Sequence, residues 1–404
     1  MNRTSEITSE QWIARADQVI MKTYGRYPIV PVRGEGCRVW DADGKEYLDF
    51  LAGVAVNNLG HCHPKVVKAI QEQAATLIHC SNYYHIPSQI ELAELLCGHS
   101  FADRAFFCNS GAEANEAAIK LARKYSRETF GPERYAIITA AESFHGRTMA
   151  TVSATGQEKV QRFFDPLLHG FLHVPFNDAA AIEAAVTPQT CAVMLEPIQG
   201  EGGVNVPDPG YLKAVRDICD RFGLLLILDE VQTGLGRTGK LFAHEHFGIE
   251  PDIMTLAKAL AGGAPIGAML AREKYAAAFS PGTHGSTFGG NPLMTAAALA
   301  AVNALLDEGL LERARAMGAY LVKTLEGLKA KHAIVQEVRG IGLMVGMNLT
   351  IPGGEIVKQG HARGLLLNVT HDTVLRFVPP LVVTEAEIDA AAVILDELLA
   401  DAGN

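Results

Sequence analysis

Dividing the chain length by roughly 150 residues per domain gives about two or three domains. Apolar residues make up 48% of the 404 and charged residues 20%, a balance that supports a large core and excludes disorder as the dominant state. The 35 Lys and Arg against 45 Asp and Glu leave a formal charge of −10 with no basic block, so a nucleic-acid partner is not expected.

The opening MNRTSEITSEQ has no apolar h-region and is not Arg-rich and acid-poor, so neither a secretory signal nor an organelle presequence is expected. Cys37 to Leu51 (CRVWDADGKEYLDFL) reads as two short strands around the turn Asp41–Gly44. Asp41-x-Asp43-Gly resembles the start of a calcium loop, but the later ligands are missing. His61-Cys62-His63 has no second ligand pair at zinc spacing, and Pro64 marks a loop entering a helix, so no metal is expected. The seven cysteines are scattered with no CxxC, as expected for reduced thiols in a cytoplasm.

Asn109-Ser-Gly-Ala-Glu follows the apolar stretch Ala105–Cys108. Ser110 with Glu113 fits a capping box, and Ala118, Leu121, Ala122 and Tyr125 give one apolar stripe. Gly111 and Ala112 leave backbone N–H groups open at that helix start, which suits a phosphate; an ordinary cap would look the same.

Four short, nearly continuous apolar runs follow: Tyr135–Ala140, Cys191–Glu196, Leu224–Asp229 and Ile266–Leu270. Strands covered on both faces read this way. With the amphipathic stretches Glu113–Tyr125 and Tyr211–Arg221 they predict an α/β region with a mostly parallel sheet. Asp229 ends the most apolar of these strands, where ligands gather in such sheets, although capping or pairing with a surface arginine is the plainer role. Gly234-x-Gly236-x-x-Gly239 matches the dinucleotide pattern, and Gly234–Lys240 nearly matches a P-loop. The first does not run from strand straight into helix, and the second has Leu241 where a hydroxyl belongs, so a glycine-rich loop is expected instead.

Lys258 is the only charged residue between Asp252 and Arg272. Lysine is rarely buried without a partner. It is either snorkelling to solvent from a helix end or an amine kept for condensation with a carbonyl. No charge occurs from Tyr275 to Leu306, but the uninterrupted apolar part, Leu293–Leu306, is shorter than the ~20 residues of a membrane span, so no membrane partner is expected. After Asn291-Pro292 the pattern predicts a long helical region to about Leu328. Strand segments at Val335–Met347 and Val374–Val383 and a last helix from Glu385 complete a smaller α+β domain.

Six motifs now stand in order: Asn109-Ser-Gly-Ala-Glu-Ala, Phe144-His-Gly-Arg-Thr, Glu196-Pro-Ile-Gln-Gly-Glu-Gly-Gly, Leu228-Asp-Glu-Val-Gln-Thr-Gly, Thr255-Leu-Ala-Lys and Gly285-Ser-Thr-Phe-Gly-Gly-Asn-Pro. Together, from about Tyr24 to Pro380, they resemble a class III (subgroup II) pyridoxal-phosphate aminotransferase. The resemblance implies the fold-type I, aspartate-aminotransferase-like architecture in a homodimer with its sites at the subunit interface. It also implies an N-terminal segment (1–60) packing with the small domain, a large cofactor domain (61–292) and a C-terminal small domain (293–404). One pyridoxal phosphate is implied per subunit, with Lys258 as the Schiff-base lysine. Asp229 matches the partner of the pyridine nitrogen, Gln232 the residue near the phenolic oxygen, and Phe144 the ring stacked on the pyridine; Glu230 and Val231 share that cofactor-binding motif. Ser110, Gly111 and Ala112 match the phosphate loop. Ser286 and Thr287 match residues that reach in from the other subunit, Thr287 to cofactor and Ser286 to substrate. Arg147 and Arg376 match the substrate-carboxylate arginines, Glu201 matches the acid that pairs with the second of them, and Tyr24 matches a substrate-site residue. The opening Thr23-Tyr-Gly-Arg-Tyr-Pro28 is most similar to the branch that transfers the distal amine of N2-acetylornithine to 2-oxoglutarate in arginine biosynthesis. Succinylornithine, ornithine or succinyldiaminopimelate as donor, or a protein that binds the cofactor without turnover, are the alternatives.

Overall fold

The computed structural model describes residues 7–403; residues 1–6, part of the opening stretch read above, and residue 404 lie outside the described residues. The first sheet is the antiparallel ladder β1 (Pro31–Glu35), β2 (Arg38–Asp41) and β3 (Glu46–Asp49), extended by a two-residue strand, Leu365–Leu366, parallel to β3. The expected hairpin is β2–β3. One carboxylate oxygen of Asp41 accepts the N–H of Asp43 at 3.0 Å and of Lys45 at 2.9 Å, and the other accepts the Tyr47 hydroxyl at 2.8 Å. These three bonds close the turn. β1 is mostly exposed, so no apolar pattern marks it in the sequence.

The second sheet has seven strands: β4 (Arg104–Cys108), β5 (Ala136–Ala140), β6 (Phe171–Val174), β7 (Thr190–Leu195), β8 (Leu225–Asp229), β9 (Ile253–Leu256) and β10 (Gly267–Ala271), in the order β4-β10-β9-β8-β7-β5-β6. All run parallel except β10, which is antiparallel to both of its neighbours. The continuous apolar runs have a direct cause. Leu225 and Ile227 face the helix Gly111–Phe130, while Leu226 and Leu228 face the helix Tyr211–Phe222, so successive residues are buried on opposite faces. A run of this kind carries no direction, which is why β10 reads like its parallel neighbours.

The expected long helical region is two helices, Pro292–Asp307 and Leu310–Lys331, bent by 66°. Gly309 between them has φ +67°, the left-handed conformation that glycine takes without strain. No single helix among the described residues is long and apolar enough to cross a membrane; the two together reach that length and composition only as a bent pair. β11 (Val335–Ile341), β12 (Met344–Leu349), β13 (Leu365–Leu366), β14 (Asn368–Thr370) and β15 (Val374–Phe377) follow. Four of them form an antiparallel sheet in the order β11-β12-β15-β14, and the helix Glu385–Gly403 completes the α+β part.

Arg237 of the glycine-rich loop ties these parts together. It is fully buried. Its Nη1 donates to the carbonyls of Leu343 at 2.9 Å and Pro379 at 2.5 Å, and its Nη2 donates to the Asn58 side-chain oxygen. Asn58 in turn donates to Leu235 O at 2.7 Å. One side chain thereby joins the N-terminal segment, the large sheet's loop and the C-terminal strands. Arg237→Met leaves three buried oxygens without donors and should cost about 3 kcal/mol. The denaturant midpoint of the variant reads this directly; a midpoint equal to that of the parent chain contradicts it.

Candidate active site

The carboxyl ends of the parallel strands converge on one cavity of about 400 Å³. β4 leads to Asn109–Ala112, β5 to Phe144–Arg147, β7 to Glu196, β8 to Asp229–Gln232 and β9 to Lys258, all of which line it except Glu230. The antiparallel β10 contributes from its start, through Pro265 and Ile266. Ligands gather at this edge of an open α/β sheet because parallel strands deliver their connecting loops to the same side.

Lys258 follows β9 with φ +39°, a left-handed conformation that is strained for a lysine and that aims its side chain into the cavity. Its amine has no hydrogen bond or ion pair among the described residues. Burial lowers its pKa below the usual lysine value, and Arg376 pushes the same way, while Glu201, Asp229 and Glu196 oppose the shift. An amine placed so gains nucleophilic, unprotonated character.

Asp229 is 4% exposed. Its Oδ2 accepts the Asn115 amide at 2.7 Å and faces His145 Nδ1 at 2.8 Å, and its Oδ1 accepts the Val231 N–H at 3.0 Å. The Asn115 oxygen accepts the Thr255 hydroxyl at 2.7 Å, so the carboxylate cannot easily turn. Ser110 caps the helix that begins at Gly111: its Oγ accepts the Glu113 N–H at 3.2 Å. Glu113 returns to the Asn109 N–H at 2.9 Å and to the Ser110 hydroxyl at 3.0 Å, so the box closes one residue earlier than the sequence pattern implies. The N–H groups of Gly111 and Ala112 have no acceptor among the described residues. A Cβ on Gly111 would stand 2.8 Å from Val231 Cγ1, so only glycine lets the loop and the helix start meet. The amine, the open amides at a helix start and the anchored carboxylate are the donor set for an aldehyde that carries a phosphate and a basic ring nitrogen.

Arg376 on β15 is 1% exposed. Its Nη1 donates to Glu201 Oε1 at 2.5 Å and to Gln232 Oε1 at 3.1 Å, and its Nε donates to Asn368 Oδ1 at 3.3 Å. Burial alone would raise the Glu201 carboxyl, but Arg376 and Lys258 outweigh it and hold the pKa below the ordinary value. Arg147 is exposed at the cavity wall, its guanidinium 5.5 Å from the Phe144 ring centre, with no ion pair among the described residues.

Some expected residues stand elsewhere. Glu230 is not brought to the cavity: it is buried on the far side, where it accepts the N–H groups of Ala243 at 2.6 Å and His244 at 2.9 Å and faces His244 Nδ1 at 2.8 Å. Extended backbone sends consecutive side chains to opposite sides, so Asp229 and Glu230 cannot both face in. Ser286 and Thr287 border a separate, larger groove, where Ser286 Oγ accepts the Gly289 N–H at 3.0 Å. Tyr24 is 73% exposed and does not line the cavity. The sequence reading passed over Asn115, His145 and Glu196, whose roles depend on contacts between distant segments; the short Phe144-His145 and Glu196-Pro motifs were their only local signal.

The class-III aminotransferase family model matches residues 19–399. The chain belongs to this family. An acetylornithine aminotransferase of Caldanaerobacter subterraneus is 57% identical over 95% of this chain and 97% of its own. One from Methanocaldococcus jannaschii is 53% identical over 98% and 99%. Among solved structures, the ornithine aminotransferase of Toxoplasma gondii, described with partial occupancy of PLP at its active site, superposes with a TM-score of 0.94 at 38% identity, covering 98% of this chain and 94% of its own. The chain is thus a pyridoxal-phosphate-dependent aminotransferase of fold type I.

Glu196 lines this aminotransferase cavity. Its carboxylate accepts the N–H of Phe144 at 3.0 Å and of Gly200 at 3.1 Å. Burial raises its pKa from 4.5 to about 7, with His145 pulling it down and Asp229 pushing it up. A carboxyl that binds its proton more tightly when folded loses stability as pH rises from the unfolded value of 4.5 to the folded value of about 7. Glu196→Gln should flatten that slope in the melting temperature of the cofactor-loaded enzyme. An unchanged slope would remove Glu196 as its source.

Proposed function

We infer that the chain moves the 5-amino group of N2-acetyl-L-ornithine to 2-oxoglutarate, giving N-acetyl-L-glutamate 5-semialdehyde and L-glutamate, a step of arginine biosynthesis. One observation carries the reading: Arg147 stands open at the cavity wall, while Arg376, buried behind Gln232 and outside the cavity lining, is already paired with Glu201. Acetylornithine offers its distal amine and has its only carboxylate at the far end. Glutamate and 2-oxoglutarate have a carboxylate at the far end and another beside the reacting carbon. Arg147, open at the wall, binds the distal carboxylate of all of them. Arg376 binds the proximal carboxylate when there is one, and otherwise stays on Glu201, because a buried arginine left unpaired costs several kcal/mol. The arginine fork meets a carboxylate in two parallel hydrogen bonds, so lysine replaces neither well. The names of the relatives at 57% and 53% identity support this donor over ornithine, the substrate named for the neighbour at 38%.

When bound, pyridoxal phosphate supplies the aldehyde that takes up the amino group and a ring that delocalises the electrons released at the donor carbon. Ser110, Gly111 and Ala112 would hold its phosphate, Asp229 its ring nitrogen and Gln232 its phenolic oxygen, with Phe144 and Val231 packing against its ring. Lys258 would hold its carbonyl carbon, and its amine, when uncharged, would take up the proton of the donor carbon and give it back. Such positioned proton transfer contributes ~10²–10⁴-fold. Asp229, fastened by Asn115 and His145, would present its carboxylate to the ring. The reading extends to a cytoplasmic homodimer in which Ser286 and Thr287 of one protomer complete the site of its partner, to Tyr24 as a substrate-site residue, and to domains divided near residues 60 and 292. The exposed rings of Tyr83 (94%) and Phe288 (61%) beside the Ser286 groove support such an interface.

The half-reactions separate the two arginines. Arg376→Ala should cripple the 2-oxoglutarate half-reaction, by about 100-fold or more for a lost buried charge pair, while sparing the acetylornithine one. Stopped-flow absorbance of each half-reaction measures this; equal losses in both contradict the reading.

A further inference from the structure

Glu201 rides on the turn 200–205, which leaves β7 of the large sheet and is closed by paired Gln199 and Asn205 backbones at 3.1 and 3.0 Å. Most of its fastenings to other segments nevertheless come from the C-terminal sheet. Arg339 on β11 sends Nη2 to the Gly203 carbonyl at 2.6 Å and Nε to the Val204 carbonyl at 3.0 Å, with Nη2 also 3.3 Å from Asn205 Oδ1. Thr370 on β14 donates its hydroxyl to the Glu201 carbonyl oxygen. From the large sheet, Glu196 accepts the Gly200 N–H at 3.1 Å. Gly203 has φ +116°, and a Cβ there would stand 3.3 Å from Arg339 Nη2, so the turn fits closely under the guanidinium.

The backbone on both sides of Glu201 is therefore fixed, and its carboxylate can leave Arg376 only by rotating its own side chain. Arg339 does not line the cavity and touches no group that reacts. We propose that Arg339 is a positioning residue that sets how firmly Glu201 covers Arg376, and thereby the preference of the site between donors with a carboxylate beside the reacting carbon and donors without one. The proposal rests on the reading of Glu201 as the cover of Arg376.

Arg339→Met keeps the aliphatic stem and removes the donors to the turn. With the turn loosened, Arg376 is freer for a proximal carboxylate and more costly to leave uncovered. The glutamate half-reaction should gain in kcat/KM while the N2-acetylornithine half-reaction loses, moving their ratio about tenfold toward glutamate, the scale of one or two hydrogen bonds. Arg339→Lys, which still donates to one carbonyl, should restore part of the ratio. Both half-reactions are followed on the cofactor-loaded enzyme by stopped-flow absorbance. A purely structural defect lowers both rates together, and that parallel loss, or an unmoved ratio, overturns the proposal. Thr370→Val, which releases the Glu201 carbonyl, should shift the ratio in the same direction and serves if Arg339→Met does not fold. If Arg376→Ala harms both half-reactions equally, the cover itself is wrong; if that split appears while the Arg339→Met ratio stays put, only the present inference fails.

Discussion

Everything in this site depends on an amine drawn into a half-buried cavity and left without a partner. Desolvating an ammonium costs several kcal/mol, so a chain keeps an unpaired lysine inside only when its uncharged form is in use. The acids around Lys258 stand near enough to bias its charge but are each engaged elsewhere. Asp229 accepts from Asn115 and Val231 and faces His145; Glu196 accepts from Phe144 and Gly200; Glu201 is held by Arg376. The amine is left free because its neighbours are occupied.

The sheet explains how these groups meet. Five strand ends open on the same edge and divide the chemistry among them: amides from β4, a ring and an open arginine from β5, acids from β7 and β8, and the lysine from β9. None of these residues is close in sequence to most of the others. The second arginine arrives from a different sheet on β15, and its acid is fastened to that sheet by Arg339 and Thr370. On the proposed reading, the choice between donors is set where the C-terminal sheet meets the turn that carries Glu201.

Much of this was legible in the residues alone, for physical reasons. A strand buried on both faces has to be apolar throughout, so Leu224–Asp229 and Cys191–Glu196 marked β8 and β7 within a residue and put Asp229 at a strand end. Ser110 and Glu113 announced a helix start because capping is local chemistry. Direction and facing were not legible. β10 is as apolar as its neighbours although it runs the other way, and Glu230 resembles Asp229 until the backbone turns it to cap the segment at Ala243. The break at Gly309 was masked by the apolar stretches on both sides of it. Asn115, His145 and Arg339 act across 30 to more than 100 positions of chain, which no local pattern encodes.

The central claim is that the unpaired amine of Lys258 both anchors the cofactor and moves the proton. Its most direct test is single-turnover amino transfer from N2-acetylornithine in Lys258→Ala loaded with pyridoxal phosphate. The account predicts that the variant folds and retains the cofactor through the phosphate loop, while transfer falls by at least ~10²–10⁴-fold. Transfer at a rate near that of the parent enzyme would contradict it.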